Sequence, residues 1–330
     1  PLVYALPFSK AKGFGMNSDP ILHHLIHEVQ EYDANDDLLI QQLTQSRFVL
    51  MGEASHGTAE FYRERIRLSK RLIEEFDYDA IVIEGDWPDT YRLTQYATGN
   101  SQDSNAQAAL SGFKRFPTWM WRNEEMLHFC DWLKQKNRSL KDGINQRVNI
   151  GIYGMDLYSL FTSMDLVVHY LKTIDPQLAI RAKRRFACFD HFQKNAQLYG
   201  YLATYSKHIK DCKNEVIDQL LDLIHLKEYA QTLAINLDDD YFSALQNAKL
   251  VKNAERYYRI MFSGKASSWN LRDHHMVSTI ADIEQYLSTK KGAPAKLIIW
   301  AHNSHVGDAS FTQQGKGGEV SVGQLMRSRY

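Results

Sequence analysis

Four short apolar runs stand out along the chain: Arg47-Phe-Val-Leu-Met51, Asp79-Ala-Ile-Val-Ile83, Val148-Asn-Ile-Gly-Ile-Tyr153 and Lys296-Leu-Ile-Ile-Trp300. Each is nearly continuous in hydrophobicity rather than alternating. That is the pattern of a strand covered on both faces, as in a parallel sheet. Between them the period changes to that of a helix. The stretch 58–76 puts Phe61, Leu68, Leu72 and Phe76 on one stripe. The stretch 123–137 groups Met126, Phe129 and Leu133, and 268–287 groups Trp269, Met276, Ile280, Ile283 and Leu287. Strands alternating with such helices predict an α/β fold, with a mainly parallel central sheet flanked by helices.

From about 175 to 263 the pattern differs. No strand run occurs, Gly and Pro are almost absent, and Lys, Gln, Leu and Tyr fill three or four helical stretches. The organisation expected is an N-terminal segment or helix over 1–36, an α/β catalytic core built from 37–174 and 264–330, and a helical insertion over 175–263. The basic run Arg181-Ala-Lys-Arg-Arg185 is expected to be a solvated helix face.

Composition narrows the class. The 330 residues are 44% hydrophobic and 24% charged, which is ordinary for a globular chain. Thirty-nine basic residues balance 39 acidic ones, so no broad electrostatic footprint for nucleic acid or an anionic membrane surface exists. No apolar run is long enough to span a bilayer. The segment after Pro1 lacks the basic start and apolar stretch of a signal peptide. A start at Pro1 rather than Met suggests processing or a longer parent chain. Cys130, Cys188 and Cys212 are an odd count with no CxxC spacing, which predicts no disulfide framework, a reducing compartment and a cytoplasmic location. Oligomeric state leaves no signal.

The unusual polar residues collect immediately after the predicted strands. They are Gly52-Glu53-Ala54-Ser55-His56-Gly57, Glu84-Gly85-Asp86-Trp87-Pro88-Asp89, Gly154-Met155-Asp156 and Ala301-His302-Asn303-Ser304-His305. Open parallel sheets bind ligands beyond the carboxyl ends of their strands, so four such ends predict one shared pocket. Glu53, three residues before His56 in a Gly-flanked turn, is placed to orient the imidazole as a proton acceptor. The alternative is that Ser55 and Thr58 cap the following helix and His56 is a turn residue. Arg65 falls on the apolar stripe of its helix and needs a carboxylate, Glu53 or Glu84, unless its head reaches water. Asp273 falls on the Trp269–Met276–Ile280 stripe, either as a helix-start charge or behind the site. His302 and His305 form an acid–base cluster with His56 and Glu53, or a metal site holding zinc or manganese. His23, His24, His27, His274 and His275 are expected at the surface or in packing. Trp119 and Trp121, in Phe116-Pro-Thr-Trp-Met-Trp-Arg122, line a substrate cleft or pack in the core. No Gly-x-Ser-x-Gly elbow, Walker loop or Gly-x-Gly-x-x-Gly occurs. His-activated water is therefore simpler than a serine nucleophile.

Taken in order, Gly52-Glu-Ala-Ser-His-Gly57, Glu84-Gly-Asp-Trp-Pro-Asp89, Phe116-Pro-Thr-Trp-Met-Trp-Arg-Asn123, Trp269-Asn-Leu-Arg-Asp273 and Trp300-Ala-His-Asn-Ser-His305 resemble the erythromycin esterase family. The resemblance runs from about residue 37 to 329. It implies an α/β core with a helical portion, bacterial relatives, and ester hydrolysis by activated water without a covalent intermediate. In that scheme His56 is the general base and Glu53 orients it. Glu84, Arg65, His302 and His305 orient water or steady the oxyanion, while Trp119, Trp121, Asp156 and Asp273 contact substrate. The substrate is a small-molecule carboxylic ester, macrolactones included, and no cofactor is required. The family continues well past the segment matching 320–325, whereas this chain ends at Tyr330. The resemblance thus leaves completion of the sheet and pocket wall to a shortened form or to residues elsewhere. It supports hydrolase chemistry ahead of antibiotic resistance. Two rival expectations are a metal-dependent hydrolase using His56, His302, His305 and one carboxylate, and a non-catalytic binder of haem or another apolar ligand.

Overall fold

The structure, a computed structural model, describes residues 37–141, 148–206, 210–232, 239–262 and 264–330. The N-terminal segment, with His23, His24 and His27, lies outside them. Four strands form one parallel sheet: β1 (Phe48–Met51), β2 (Ala80–Asp86), β3 (Gly151–Asp156) and β4 (Leu297–Trp300). Their order is β1-β4-β2-β3, so the last strand in sequence is inserted between the first two. Phe48 and Ala80 both pair with Leu297, and Ala80 pairs with Gly151. The β2–β3 register shifts between Ile83 and Asp86, which brings Asp86 opposite Asp156. Gly154 permits this approach, because a Cβ there would stand 2.4 Å from the Gly85 carbonyl oxygen.

The near-continuous hydrophobicity of the strands has the expected consequence: both faces of the sheet are buried. Val49, Met51, Ile81, Ile83, Ile152, Ile298 and Trp300 face one core. Into it pack α1 (Asp37–Thr44), α2 (Ala59–Phe76), α3 (Trp87–Thr98), α4 (Ala106–Leu110) and α5 (Glu124–Lys141). Ala80, Val82, Tyr153, Met155, Leu297 and Ile299 face the other core. In α2 the buried face is centred on Tyr62, Arg65, Ile66, Ser69, Leu72 and Ile73, while Phe61 and Phe76 are only half-buried. The expected stripe is thus rotated, because α2 presents Arg65 to a carboxylate beneath it.

The second core is covered by α6 (Leu160–Ile174), α7 (Pro176–Phe186), α8 (Ala196–Tyr205), α9 (Lys213–Thr232), α10 (Asp239–Ile260) and α11 (Lys265–Lys291). Helix α10 lies against α6, α8, α9 and α11. Short helices α12 (Asn303–Val306), α13 (Gln313–Lys316) and α14 (Val322–Arg329) follow β4. Arg181 and Arg185 of the basic run reach Asp222 on α9, and Lys183 and Arg184 are exposed. The cysteine expectation is corrected: Cys188 and Cys212 form a disulfide with Cα atoms 5.9 Å apart, and only Cys130 is free. Spacing could not show this pair, since the two residues are 24 apart and flank α8. Among the described residues no helix is long and apolar enough to cross a membrane.

Candidate active site

Glu53 leaves the end of β1 and is almost completely buried, at 1% exposure. Such a carboxylate needs partners on both oxygens. Its Oε1 lies 2.7 Å from Nδ1 of His56, and its Oε2 accepts a hydrogen bond from Arg65 Nη2 at 2.9 Å. Arg65 is 3% exposed, so its head does not reach water. Its guanidinium lies between the rings of Tyr62 and Trp300, 4.9 and 5.1 Å from their centroids. Those π faces leave Glu53 as its carboxylate. The buried ion pair fixes Glu53, and Glu53 in turn fixes His56.

The imidazole of His56 is partly open, its side chain 32% exposed. With Nδ1–H donated to Glu53, Nε2 keeps its lone pair and has no hydrogen-bond partner among the described residues. The hydrogen bond to Glu53 raises the His56 pKa above 6.5, burial opposes the rise, and the charge of Glu84 adds to it. Gly57 has φ +81°, and a Cβ there would stand 2.5 Å from the Trp119 ring. Trp119 therefore packs directly on the turn that carries His56, with 47% of its surface exposed. The Ser55 hydroxyl pairs with Thr58 Oγ1 at 2.7 Å rather than with the imidazole.

The remaining strand ends converge on a residue the sequence reading did not single out. Arg272, on α11, donates from Nε and Nη2 to the two oxygens of Asp156 at 2.9 and 2.7 Å. Nη2 also reaches Glu84 Oε1 at 2.7 Å, and Nη1 donates to His305 Nε2 at 2.9 Å. His305 Nδ1–H then donates to Asp273, 2.9 Å away, which also accepts from the Val322 amide. The His305 ring is stacked on Trp269, with centroids 4.5 Å apart. Asp273 is buried in the third turn of α11, so it is not a helix-start charge. The second oxygen of Glu84 accepts the His302 backbone N–H at 2.9 Å. His302 Nε2 donates to the Ala54 carbonyl at 3.1 Å, and its ring lies 5.2 Å from that of His56. Backbone and side chain of His302 thus join the two clusters.

Charges follow this geometry. Burial opposes ionisation of Glu84, yet Arg272 and His305 bring its pKa below the ordinary range. Asp156 is likewise held low, its burial outweighed by Arg272. Its neighbour Asp86 is pushed up by burial and by the charge of Asp156, with Arg115 opposing at 3.6 Å. Asp86 accepts the Tyr158 amide at 2.7 Å.

Trp121 is buried and donates its indole N–H to the Glu84 carbonyl at 3.1 Å. His275 is buried against Asn253, and burial lowers its pKa to about 4; His274 is exposed. The residues do not fit the metal set considered above. His305 Nε2 faces a guanidinium, His302 Nε2 faces a carbonyl, and among the described residues no three His, Cys, Asp or Glu groups converge to hold a metal. Arg272 could have been found by the logic that singled out Arg65. It precedes Met276, Ile280 and Ile283 on the buried stripe of its helix.

A parallel α/β sheet with acids and histidines hydrogen-bonded across its strand ends has the architecture of an enzyme site. The chain belongs to the erythromycin esterase family, whose model matches residues 73–330. The curated relatives it matches carry the names of a hydrolase and an esterase. It is 25% identical over 311 residues to YbfO of Bacillus subtilis (strain 168), whose name classes it as a hydrolase. The match covers 86% of this chain and 63% of YbfO, so the chain spans less than two thirds of that relative. It is 20% identical over 321 residues to erythromycin esterase type I of Escherichia coli, covering 91% of this chain and 72% of that one. Among solved structures, a succinoglycan biosynthesis protein superposes with a TM-score of 0.65 at 19% identity, covering 91% of this chain and 67% of that one. A mutant of the erythromycin esterase EreC in its open conformation gives 0.60 at 20% identity, covering 91% and 71%. At those identities the likeness shows the fold.

Proposed function

We propose that the chain hydrolyses a small-molecule carboxylic ester, macrolactones included, by water activated at His56. The observation that carries this reading is the division of one buried carboxylate: Glu53 takes Arg65 on one oxygen and His56 on the other. The imidazole is held in the tautomer whose Nε2 accepts a proton. Water attacks the acyl carbon as its proton passes to Nε2. The same proton is then given to the departing alkoxide, leaving acid and alcohol. A base of this kind contributes about 10²–10⁴ in rate.

In this scheme Arg65 and Glu84 are positioning residues. Arg65 fixes Glu53, and Glu84 fixes the His302 backbone. His302 flanks the space beside His56, and His305, held by Asp273, fixes Arg272. Trp119 offers an exposed ring for an apolar part of the substrate. The reading uses no metal and no cofactor.

The test is mass spectrometry in ¹⁸O-water of p-nitrophenyl esters and erythromycin after incubation with wild type and His56→Ala. Label in the acid product from wild type alone supports the reading. Equal turnover by the variant removes the base assignment. Saturable binding of esters without hydrolysis moves the protein to a binding role.

A further inference from the structure

One large cavity is lined by neither His56 nor Glu53. It measures about 1040 Å³ and lies between α3, α6 and α10, with Arg115 and Tyr158 in its wall. That is at the upper end of ~300–1,000 Å³, the usual range of ligand pockets. Tyr158 connects it to the acid–histidine network: its amide holds Asp86, and its ring lies 4.1 Å from the Arg115 guanidinium and 5.1 Å from that of Arg272.

Two polar groups in the cavity wall lack a donor. Asn247 is 1% exposed; its amide nitrogen is used on the Ser243 carbonyl, and its Oδ1 has no partner among the described residues. An orphan acceptor this deeply buried is costly unless a ligand or water satisfies it. Asp89, in the first turn of α3, accepts no hydrogen bond among the described residues. Burial, with Asp86 behind it, pushes its carboxyl up to about 7, against the pull of Arg92, Lys114 and Arg115. Near neutrality it therefore both donates and accepts.

The charges around these groups disfavour an ionic ligand. Arg92 is engaged by Asp103, Arg115 by Asp86 and Lys194 by Asp165. An anion would meet Asp89 and the Asn247 oxygen, and a cation would meet Lys114 and Arg115. Tyr158, Phe161, Tyr170 and Tyr258 add ring surface to the wall. Hydroxyl groups answer the acceptors, and the apolar face of a pyranose suits the rings.

From Asn247, Asp89 and these rings we infer that the cavity is a binding site for a neutral, hydroxyl-rich ligand, a sugar ring or short oligosaccharide. The inference stands apart from the hydrolase reading, since neither His56 nor Glu53 takes part in it.

The test is saturation-transfer NMR with calorimetry on the whole chain. The probes are maltotriose, cellotriose and laminaritriose, against trigalacturonate as the anion and glucosamine trimer as the cation. Wild type is expected to bind a neutral trisaccharide. Asn247→Ala and Asp89→Ala, each shown folded by circular dichroism, are expected to weaken it at least tenfold. His56→Ala is expected to bind as wild type, so failed hydrolysis and failed sugar binding are separable. Absence of binding by every neutral probe, binding of only the charged probes, or neutral binding unmoved by both substitutions would overturn the inference.

Discussion

His56 and Glu53 meet at 2.7 Å between an imidazole that is partly open and a carboxylate that is closed to solvent. The hydrogen bond crosses the boundary between core and site. It ties the protonation state of an accessible ring to a charge the solvent cannot screen. Arg65 supplies the balancing charge from inside the core, which keeps Glu53 able to accept from the imidazole.

This pairing sets a pH dependence. A base must be neutral to act, and the His56 pKa lies above 6.5. Activity is therefore expected to rise with pH through a midpoint above that value in kcat/KM. Glu53→Gln removes the charge that favours imidazolium and should lower the midpoint as well as the rate. A wild-type midpoint at or below 6.5, or a Gln variant with an unmoved profile, contradicts the assignment.

Arg65→Met should be destabilising by about 3–5 kcal/mol, because it leaves a buried carboxylate without its cation. Urea denaturation checks this. The double variant Arg65→Met/Glu53→Gln should recover part of the loss, since the uncompensated charge is then gone.

Acid stability should depend on Arg272. Glu84 and Asp156 have folded-state pKa values below their ordinary ones. Their contribution is complete above the unfolded values, about 4, and is lost as pH falls through the lower folded values. The urea midpoint of wild type should therefore fall steeply below about pH 4. Arg272→Ala should be weaker at neutral pH and lose less on acidification. A parallel pair of pH–stability curves would count against this.

Gly57→Ala combines a left-handed backbone with a Cβ 2.5 Å from the Trp119 ring. The backbone alone costs roughly 1–2 kcal/mol, and Trp119 must move. A measurable loss of kcat/KM with a blue- or red-shifted tryptophan emission is expected. Unchanged emission and activity would mean that the turn relaxes freely.

Thiol titration of unfolded protein should find one free cysteine before reduction and three after it. Closing a loop of this size stabilises by about 3 kcal/mol in the chain-entropy description. Cys212→Ser should lower the melting temperature while leaving ester hydrolysis intact. Three thiols without reduction would remove the bridge.

The sheet was readable because Phe48–Met51, residues 80–83 and Leu297–Trp300 are continuous apolar runs, and no helix period fits them. Glu53, His56 and Arg65 were readable for a related reason: a short turn, and a position within the first two turns of the following helix, restrict which groups can meet. Arg272 was not, since its partners Glu84 and Asp156 lie 188 and 116 residues away and only tertiary packing brings them together. Counting cysteines also misled, because an odd total says nothing of which two the fold brings together. Periodicity placed Asp273 on a buried stripe without showing that it faces His305.

One guanidinium serving Glu84, Asp156 and His305 has a consequence for how this corner of the chain can change. The charges of Glu84 and Asp156 are balanced, and the His305 ring is held, through the same group, so single substitutions there will not add. A lineage could lose Arg272 only in company with neutralised carboxylates, by steps that are each unfavourable alone. The arrangement acts as a ratchet on sequence drift: these positions are exchanged together or kept.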